Sequence, residues 1–188
     1  MAKKLKVGII GTGFIARGAH IPGYNSMPDE VEIKWLCDIK PEALAESLKM
    51  APDAKTTADY HDLLNDPEVD AVSICTPNLM HLQPALDALA AGKHVLCEKP
   101  LAVDAIQAAR MHQAARDADR LLVEAVWCRW HPRFRRLAEL ASSGGLGDLL
   151  SIDSAFTFPA ELEDNYRARA VYKRVAERTK WVTYDIKI

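Results

Sequence analysis

Short, almost wholly apolar runs recur along the chain up to about residue 125 and predict buried β-strands. Each run is rich in Val, Ile or Leu and apolar at nearly every position, which is the pattern of a strand covered on both faces. The predicted strands are Leu5–Ile10, Val31–Cys37, Ala71–Cys75, Val95–Cys97 and Leu121–Ala125.

The longer segments between these strands carry helix signals. Pro41–Met50 opens with a proline at a favoured first helical position, and Leu82–Ala91 is followed by Gly92, a helix-stop signal. Val103–Ala118 has apolar residues near helical spacing with charges on the opposite face. Strands that alternate with helices predict right-handed crossovers, and therefore an α/β fold with a doubly wound parallel sheet.

The pattern changes after residue 125. Pro132–Ser143 is amphipathic and predicts a helix, whereas Leu149–Phe158 alternates in a way that predicts a half-exposed antiparallel strand. We therefore predict one domain over 1–125 and the start of an incomplete second α/β domain over 126–188. The open edge of the strand at 149–158 would invite pairing with a second copy, which predicts a homo-oligomer.

Composition and charge exclude several classes of protein. With 49% hydrophobic residues, 27% charged residues and a net charge of −2, the chain resembles a soluble globular domain without a positive field for nucleic acid. The apolar run near the N-terminus is too short for a signal peptide or a membrane span. We expect a cytoplasmic protein that binds neither nucleic acid nor membrane.

The cysteines and histidines do not form a metal or redox pattern. There is no C-x-x-C pair and no H-x-x-x-H spacing, so we predict no metal site. Three of the four cysteines close predicted strands, where they are better explained as small buried apolar residues in a reducing compartment. The cysteines are Cys37, Cys75, Cys97 and Cys128.

A glycine-rich turn follows the first predicted strand and matches G-x-G-x-x-A. Gly11 permits the tight turn, Gly13 lets the main chain approach a diphosphate, and Ala16 lets the next helix pack closely. The start of that helix offers main-chain N–H groups to phosphate. The alternative is a glycine-rich turn without a ligand. The residues predicted to hold the dinucleotide here are Gly11, Thr12, Gly13, Phe14 and Ile15.

Asp38 ends the second predicted strand, 25 residues after Gly13. That is about where a carboxylate meets the adenosine ribose hydroxyls of a bound dinucleotide. A carboxylate there repels a 2′-phosphate, so we predict NAD as the cofactor, with NADP retained as an alternative because Lys40 could soften the repulsion. Asp38 could also serve as a helix N-cap ahead of Pro41.

Two further clusters follow predicted strands, Cys75–His81 and Cys97–Ala102. Ligands of open parallel sheets bind beyond the carboxyl ends of the strands, so both clusters should lie beside the nicotinamide half of the cofactor. Thr76 and Asn78 can donate or accept hydrogen bonds there. Lys99 can donate a proton or stabilise a developing alkoxide. The alternative for Lys99 is an ordinary surface lysine.

Taken together, these motifs resemble the glucose–fructose oxidoreductase / inositol dehydrogenase / MocA family, in the branch that contains dihydrodiol dehydrogenases. The resemblance covers roughly residues 5–158. The segments that carry it are Gly11–Ala16, Thr76–Asn78 with His81, Glu98–Ala102 and Glu124–Pro132.

The resemblance implies a Rossmann domain, then an α/β domain with an open sheet. It also implies NAD(P)-dependent hydride transfer on a sugar, polyol or similar hydroxyl compound. Lys99 would be the family's active-site lysine, and Pro100 would follow a cis peptide bond. The remaining residues that the family pattern places at the cofactor or near the domain junction are Thr76, Pro77, Asn78, His81, Glu98, Lys99, Trp127 and Arg129.

The chain also departs from the family. Members are much longer and carry a D-x-G-x-H-like segment, whereas here Asp185 is followed by Lys187 in place of the glycine. Glu177–Lys180 stands where a glycine-rich stretch is expected. We therefore expect these 188 residues to bind NAD but to turn over poorly. The alternative is a dinucleotide-binding module or partner subunit without catalysis.

Overall fold

The computed structural model describes residues 3–151, and its first part is built around one six-stranded sheet. All pairings are parallel, and the strand order is β3-β2-β1-β4-β5-β6. The chain builds outward from β1 to one edge and then returns to build the other half, so the sheet is a doubly wound Rossmann sheet as predicted. The strands are β1 Leu5–Ile10, β2 Val31–Cys37, β3 Lys55–Thr57, β4 Ala71–Ile74, β5 His94–Cys97 and β6 Leu122–Glu124.

Helices and helical turns connect these strands. The chain leaves β1 through a π-helical turn at Ala16–His20, and a 3₁₀ turn at Asn78–Met80 follows β4. The α-helices are α1 Ile21–Asn25, α2 Pro41–Leu48, α3 Tyr60–Leu64, α4 Leu82–Ala90, α5 Ala105–Asp117, α6 Trp127–Trp130 and α7 Pro132–Ser142. Among the described residues, none of these helices is long and apolar enough to cross a membrane.

Two hydrophobic clusters cover the two faces of the sheet. Successive residues of a strand point to opposite faces, and accordingly Ile9 belongs to one cluster and Ile10 to the other. Both residues are almost fully buried. This two-sided burial explains why the strands are apolar at nearly every position.

The structure adds one strand, β3, and two short α-helices, α3 and α6, that the sequence pattern did not predict. β3 is a short edge strand with the sequence Lys-Thr-Thr, and it pairs only with β2. Its residues are not buried, so it carries no apolar run. α3 follows it and begins with an N-cap at Asp59, whose side chain accepts a hydrogen bond from the His61 N–H. The strands and helices predicted between residues 5 and 143 begin and end within two residues of the observed bounds.

The chain divides into two units between Trp127 and Cys128. In the second unit, α7 ends one residue before the predicted Ser143. Leu149 to Ser151 have no regular structure, and the rest of the strand predicted at 149–158 lies outside the described residues. The departures noted near 177–187 also lie outside them, and the domain boundary near 125 stays a prediction.

Candidate functional site

The turn after β1 packs directly against the end of β4. Gly11 has a φ of +87°, and a Cβ atom placed on it would lie 2.8 Å from the Cys75 carbonyl carbon and from the Thr76 nitrogen. Its N–H donates to the Cys37 carbonyl oxygen at 2.8 Å, which ties the turn to β2 as well. Glycine is therefore required here both by the left-handed conformation and by the close approach of the main chain.

Gly13 lies in a different environment, because a Cβ atom added to it would meet nothing within 4 Å. The Arg17 N–H bonds back to the Gly13 carbonyl oxygen at 3.1 Å, which starts the helical segment. The N–H groups of Gly13, Phe14 and Ile15 have no partner among the described residues. These main-chain donors border the open space over Gly13, which is the arrangement that binds phosphate.

Thr12 is fully buried and holds the turn to the end of β2. Its N–H and its hydroxyl donate to Oδ2 of Asp38 at 2.7 and 3.2 Å. Its carbonyl oxygen accepts from the hydroxyl of Ser47, a fully buried residue of α2, at 3.2 Å. The turn is thus anchored from β2 and α2 before any ligand arrives.

Asp38 also accepts a hydrogen bond from the Lys40 N–H at Oδ1, at 2.9 Å. The N-cap residue of α2 is Lys40, so the alternative interpretation of Asp38 as that helix's N-cap is wrong. Oδ1 accepts only this one bond among the described residues and keeps capacity for a ribose hydroxyl. The predicted ribose contact therefore remains compatible with the geometry.

The segment after β4 presents polar groups at the same edge of the sheet. Thr76 is half-buried, whereas Pro77 and Asn78 are exposed. The hydroxyl of Thr76 donates to the Met80 carbonyl oxygen at 3.4 Å, and Oδ1 of Asn78 accepts from the Leu79 N–H at 3.1 Å. The amide nitrogen of Asn78 remains a donor toward solvent or a ligand.

His81 joins the segment after β4 to the segment after β5. It is 1% exposed, with Nε2 at 2.9 Å from the Thr76 carbonyl oxygen and Nδ1 at 3.1 Å from that of Pro100. Both ring nitrogens are thus occupied by main-chain carbonyls. The ring positions the two segments, and its predicted part in cofactor binding stays a prediction.

The corner after β5 brings Glu98 and Lys99 to this edge. The Lys99–Pro100 peptide is cis, as the family resemblance implied. Lys99 is exposed, and its ammonium group has no hydrogen-bond partner among the described residues. Glu98 is 8% exposed, and its Oε2 accepts from the Lys99 N–H at 3.1 Å.

Three residues that the sequence interpretation did not assign hold this edge together. Nε2 of His20 lies 3.0 Å from Oε1 of Glu98, and Oε1 of Glu124 on β6 accepts from the Leu101 N–H at 2.8 Å. Ser47 is the third, through its bond to the turn. Each of these hydrogen bonds joins segments on either side of a crossover connection, so no local sequence motif predicts it.

The strand-ending cysteines behave as buried apolar residues. Burial raises the pKa of Cys37 and of Cys97 to about 12, and it raises that of Cys75 further. These thiols therefore stay protonated at neutral pH. Among residues 3–151, no group of His, Cys, Asp and Glu side chains could hold a metal ion.

Trp127 and Arg129 lie near the division between the two units. Trp127 is 57% exposed at the start of α6. In the second unit, the guanidinium of Arg129 lies over the Trp130 ring, 5.8 Å from its centroid. Their predicted place near the cofactor stays a prediction.

A cleft of about 570 Å³ lies at the other end of the strands. Among its lining residues are His94, Arg116 and Arg120, beside the first residues of β5 and β6. Ligands of open parallel sheets bind beyond the carboxyl ends of the strands, so the edge with the glycine-rich turn is the better candidate site.

Comparison with known proteins identifies the family of the fold. A family model described as an oxidoreductase family with an NAD-binding Rossmann fold matches residues 5–125. The inositol 2-dehydrogenase/D-chiro-inositol 3-dehydrogenase of Lactiplantibacillus plantarum is 31% identical over 168 residues, covering 88% of this chain and 48% of that protein. The levoglucosan dehydrogenase of Pseudarthrobacter phenanthrenivorans is 30% identical over 161 residues, covering 82% and 41%. The chain thus spans about half the length of the curated relatives it matches.

Solved structures agree with this result. The 3-ketoreductase KijD10 from Actinomadura kijaniata, in complex with NADP and TDP-benzene, superposes with a TM-score of 0.77 at 30% identity. The match covers 89% of this chain and 51% of that one. The WlbA dehydrogenase from Chromobacterium violaceum, in complex with NADH and UDP-GlcNAcA, gives a TM-score of 0.72 at 27% identity and covers 78% and 42%.

Proposed function

The chain belongs to the glucose–fructose oxidoreductase / inositol dehydrogenase / MocA family of NAD-binding Rossmann oxidoreductases, and from this membership we propose a specific activity for the whole protein. It transfers a hydride between a nicotinamide dinucleotide and the carbon that bears a hydroxyl in a sugar, polyol or related compound. The observation that carries the proposal is the set of unpartnered N–H groups beside the open space at Gly13, at the sheet edge where Lys99 is exposed.

The described residues fit a dinucleotide. The N–H groups of Gly13, Phe14 and Ile15 would hold the diphosphate, and the carboxylate of Asp38 would accept from the adenosine ribose. The bound cofactor accepts or supplies the hydride. NAD is the preferred form, because the fixed carboxylate of Asp38 repels a 2′-phosphate.

Lys99 is the residue that we propose touches the substrate. Its ammonium group is exposed beside the cofactor edge, and the Glu98 carboxylate fixes the main chain at that point. It would donate a hydrogen bond to the substrate oxygen and hold or pass on the hydroxyl proton as that oxygen gains or loses negative charge. The remaining cofactor contacts predicted at Thr76–Asn78, Trp127 and Arg129 belong to the same proposal.

These 188 residues, taken alone, should bind the dinucleotide and turn over a substrate slowly. The relatives are about twice as long, and positioning of the substrate supplies much of the rate in such a reaction. The second candidate is a dinucleotide-binding module or partner subunit without catalysis. It is favoured by the glycine-rich turn, whose N–H groups at Gly13, Phe14 and Ile15 lie within the described residues and can bind a dinucleotide without any catalytic group.

Lys99→Ala separates the two candidates. NADH binding is measured by fluorescence titration, and turnover is screened over inositols, other polyols and aldoses with NAD and NADP. For an oxidoreductase, K99A should bind NADH within about twofold of wild type and lower turnover at least about a hundredfold. A chain that binds NADH but shows no K99A-sensitive turnover supports the module, or a fragment of the enzyme that lacks its substrate pocket. A chain that does not bind any dinucleotide overturns both.

The homo-oligomer predicted from the segment at 149–158 is part of this proposal as well. Light scattering of the purified chain at several concentrations tests it. A mass that stays at the 20.8 kDa of one chain would contradict it.

A further inference from the structure

A buried pair of side chains joins the two halves of the candidate cofactor site. His20 ends the π-helical turn after the glycine-rich turn, and Glu98 follows β5. Their side chains are 6% and 11% exposed, and Nε2 of His20 lies 3.0 Å from Oε1 of Glu98. An ionised carboxylate only accepts, so the ring nitrogen donates in this bond.

The second oxygen of Glu98 leads directly to Lys99. Oε2 accepts from the Lys99 N–H at 3.1 Å, and the Glu98 N–H donates to the Ile74 carbonyl oxygen of β4 at 2.9 Å. One carboxylate therefore receives a bond from the helical segment after the glycine-rich turn and another from the corner that carries the exposed lysine. Among the described residues, the imidazole of His20 is the one side chain that is hydrogen-bonded to the Glu98 carboxylate.

His20 is itself held in place. Its ring makes an edge contact with Tyr24 at 6.5 Å between centroids, and the Tyr24 hydroxyl lies 2.5 Å from the Ser73 hydroxyl on β4. Burial raises the pKa of Tyr24, so the phenol stays protonated and can serve as a hydrogen-bond donor. The imidazole thus approaches Glu98 from a fixed direction.

We propose that His20 is a positioning residue for the nicotinamide half of the cofactor. It fixes the Glu98 carboxylate, and through Glu98 it fixes the main chain at Lys99. Removing the imidazole leaves a buried carboxylate without its side-chain donor, so Glu98 turns toward water and releases the corner. The diphosphate contacts at Gly13 do not depend on this pair.

This inference rests on the proposed function, and comparing two ligands distinguishes a failure of the inference from a failure of the proposed function. ADP-ribose carries the adenosine and the diphosphate that reach Asp38 and the glycine-rich turn, but it lacks nicotinamide. The Kd of NADH and the Kd of ADP-ribose are measured by calorimetry on the 188-residue chain. The variants are His20→Ala, His20→Gln and, as a matched control, His112→Ala at an exposed histidine of α5.

H20A should weaken NADH binding by about tenfold, the usual effect of losing a hydrogen bond to a charged group, and should change ADP-ribose binding by less than about twofold. H20Q places an amide N–H near the position of Nε2 and should restore most of the loss. H112A should match wild type with both ligands. Glu98→Gln keeps the volume of the side chain and removes its charge, and it should show the same selective loss of NADH affinity if H20A does not fold.

Three outcomes overturn the inference. An unchanged ratio of the two affinities in H20A and E98Q shows that the pair does not position the nicotinamide half. An equal loss of both ligands, without rescue in H20Q, shows that His20 only packs. Wild-type chain that binds neither ligand removes the proposed function, and the inference with it.

Discussion

Gly13→Ala tests the phosphate-binding role of the turn without a confounding loss of folding. An added Cβ atom meets no heavy atom within 4 Å, and Gly13 does not have a left-handed φ. The free energy of unfolding should therefore stay unchanged or rise by up to about 1 kcal/mol, since alanine restricts the unfolded chain. The new methyl group projects into the open space beside the N–H groups of the turn.

The effect on binding follows from the same geometry. A diphosphate seated on these N–H groups would have to move away from the methyl group, at the cost of overpacking by about one carbon atom. That cost is about 2 kcal/mol, which raises the Kd of NADH about thirtyfold. Titration of NADH fluorescence gives the Kd, and urea unfolding gives the stability of the same preparation.

Gly11→Ala is the matched control, and it should behave in the opposite way. Its Cβ atom would lie 2.8 Å from main-chain atoms of Cys75 and Thr76, at a φ of +87°. Strain and overpacking together should lower the free energy of unfolding by about 3 kcal/mol. Wild-type NADH affinity in G13A would refute the phosphate-binding role of Gly13. Wild-type stability in G11A would refute the packing of the turn against β4.

Three further predictions follow from other contacts. Asp38→Arg should shift the ratio of NADPH to NADH affinity toward NADPH by at least about tenfold, and unchanged relative affinities would contradict the ribose contact. In the native chain, a thiol reagent should modify Cys128 quickly and the other three cysteines only on unfolding, because burial raises the pKa of those three; fast modification of more than one thiol would contradict this. The Trp35 indole N–H donates to Asp66 at 2.8 Å and lowers the pKa of that carboxyl. The stability that it adds is therefore fully present above the ordinary Asp pKa, and it is lost as the pH falls from there through the lowered pKa of the folded state. Trp35→Phe should cost about 1 kcal/mol at pH 7 beyond its pH-independent loss of packing. Urea unfolding should show this excess shrink as the pH is lowered below about 5; an excess independent of pH would count against the bond.

Sequence reasoning was most successful where the physical cause is local. β1 and β2 were predicted with their observed bounds, because a strand buried on both faces must be apolar throughout. The turn at Gly11 was found because its conformation and close packing demand glycine at fixed positions. β3 was missed because an exposed edge strand needs neither an apolar run nor alternation.

The rest of the site could not be predicted because its contacts join distant parts of the chain. His20 and Glu98 are 78 residues apart, and Thr12 and Ser47 are 35 apart. Nothing in the local sequence around His20 distinguishes it from an ordinary histidine of a helix. Only the parallel sheet, which brings the carboxyl ends of its strands to one edge, creates these pairs.

The buried imidazole of His81 makes two separate loops mechanically dependent on each other. A molecule that draws the Thr76 carbonyl outward pulls on the same ring that holds Pro100, one residue from Lys99. Under the proposed function, coenzyme binding at the first loop would therefore affect the lysine before any sugar or polyol is present, and the two binding events would be thermodynamically linked.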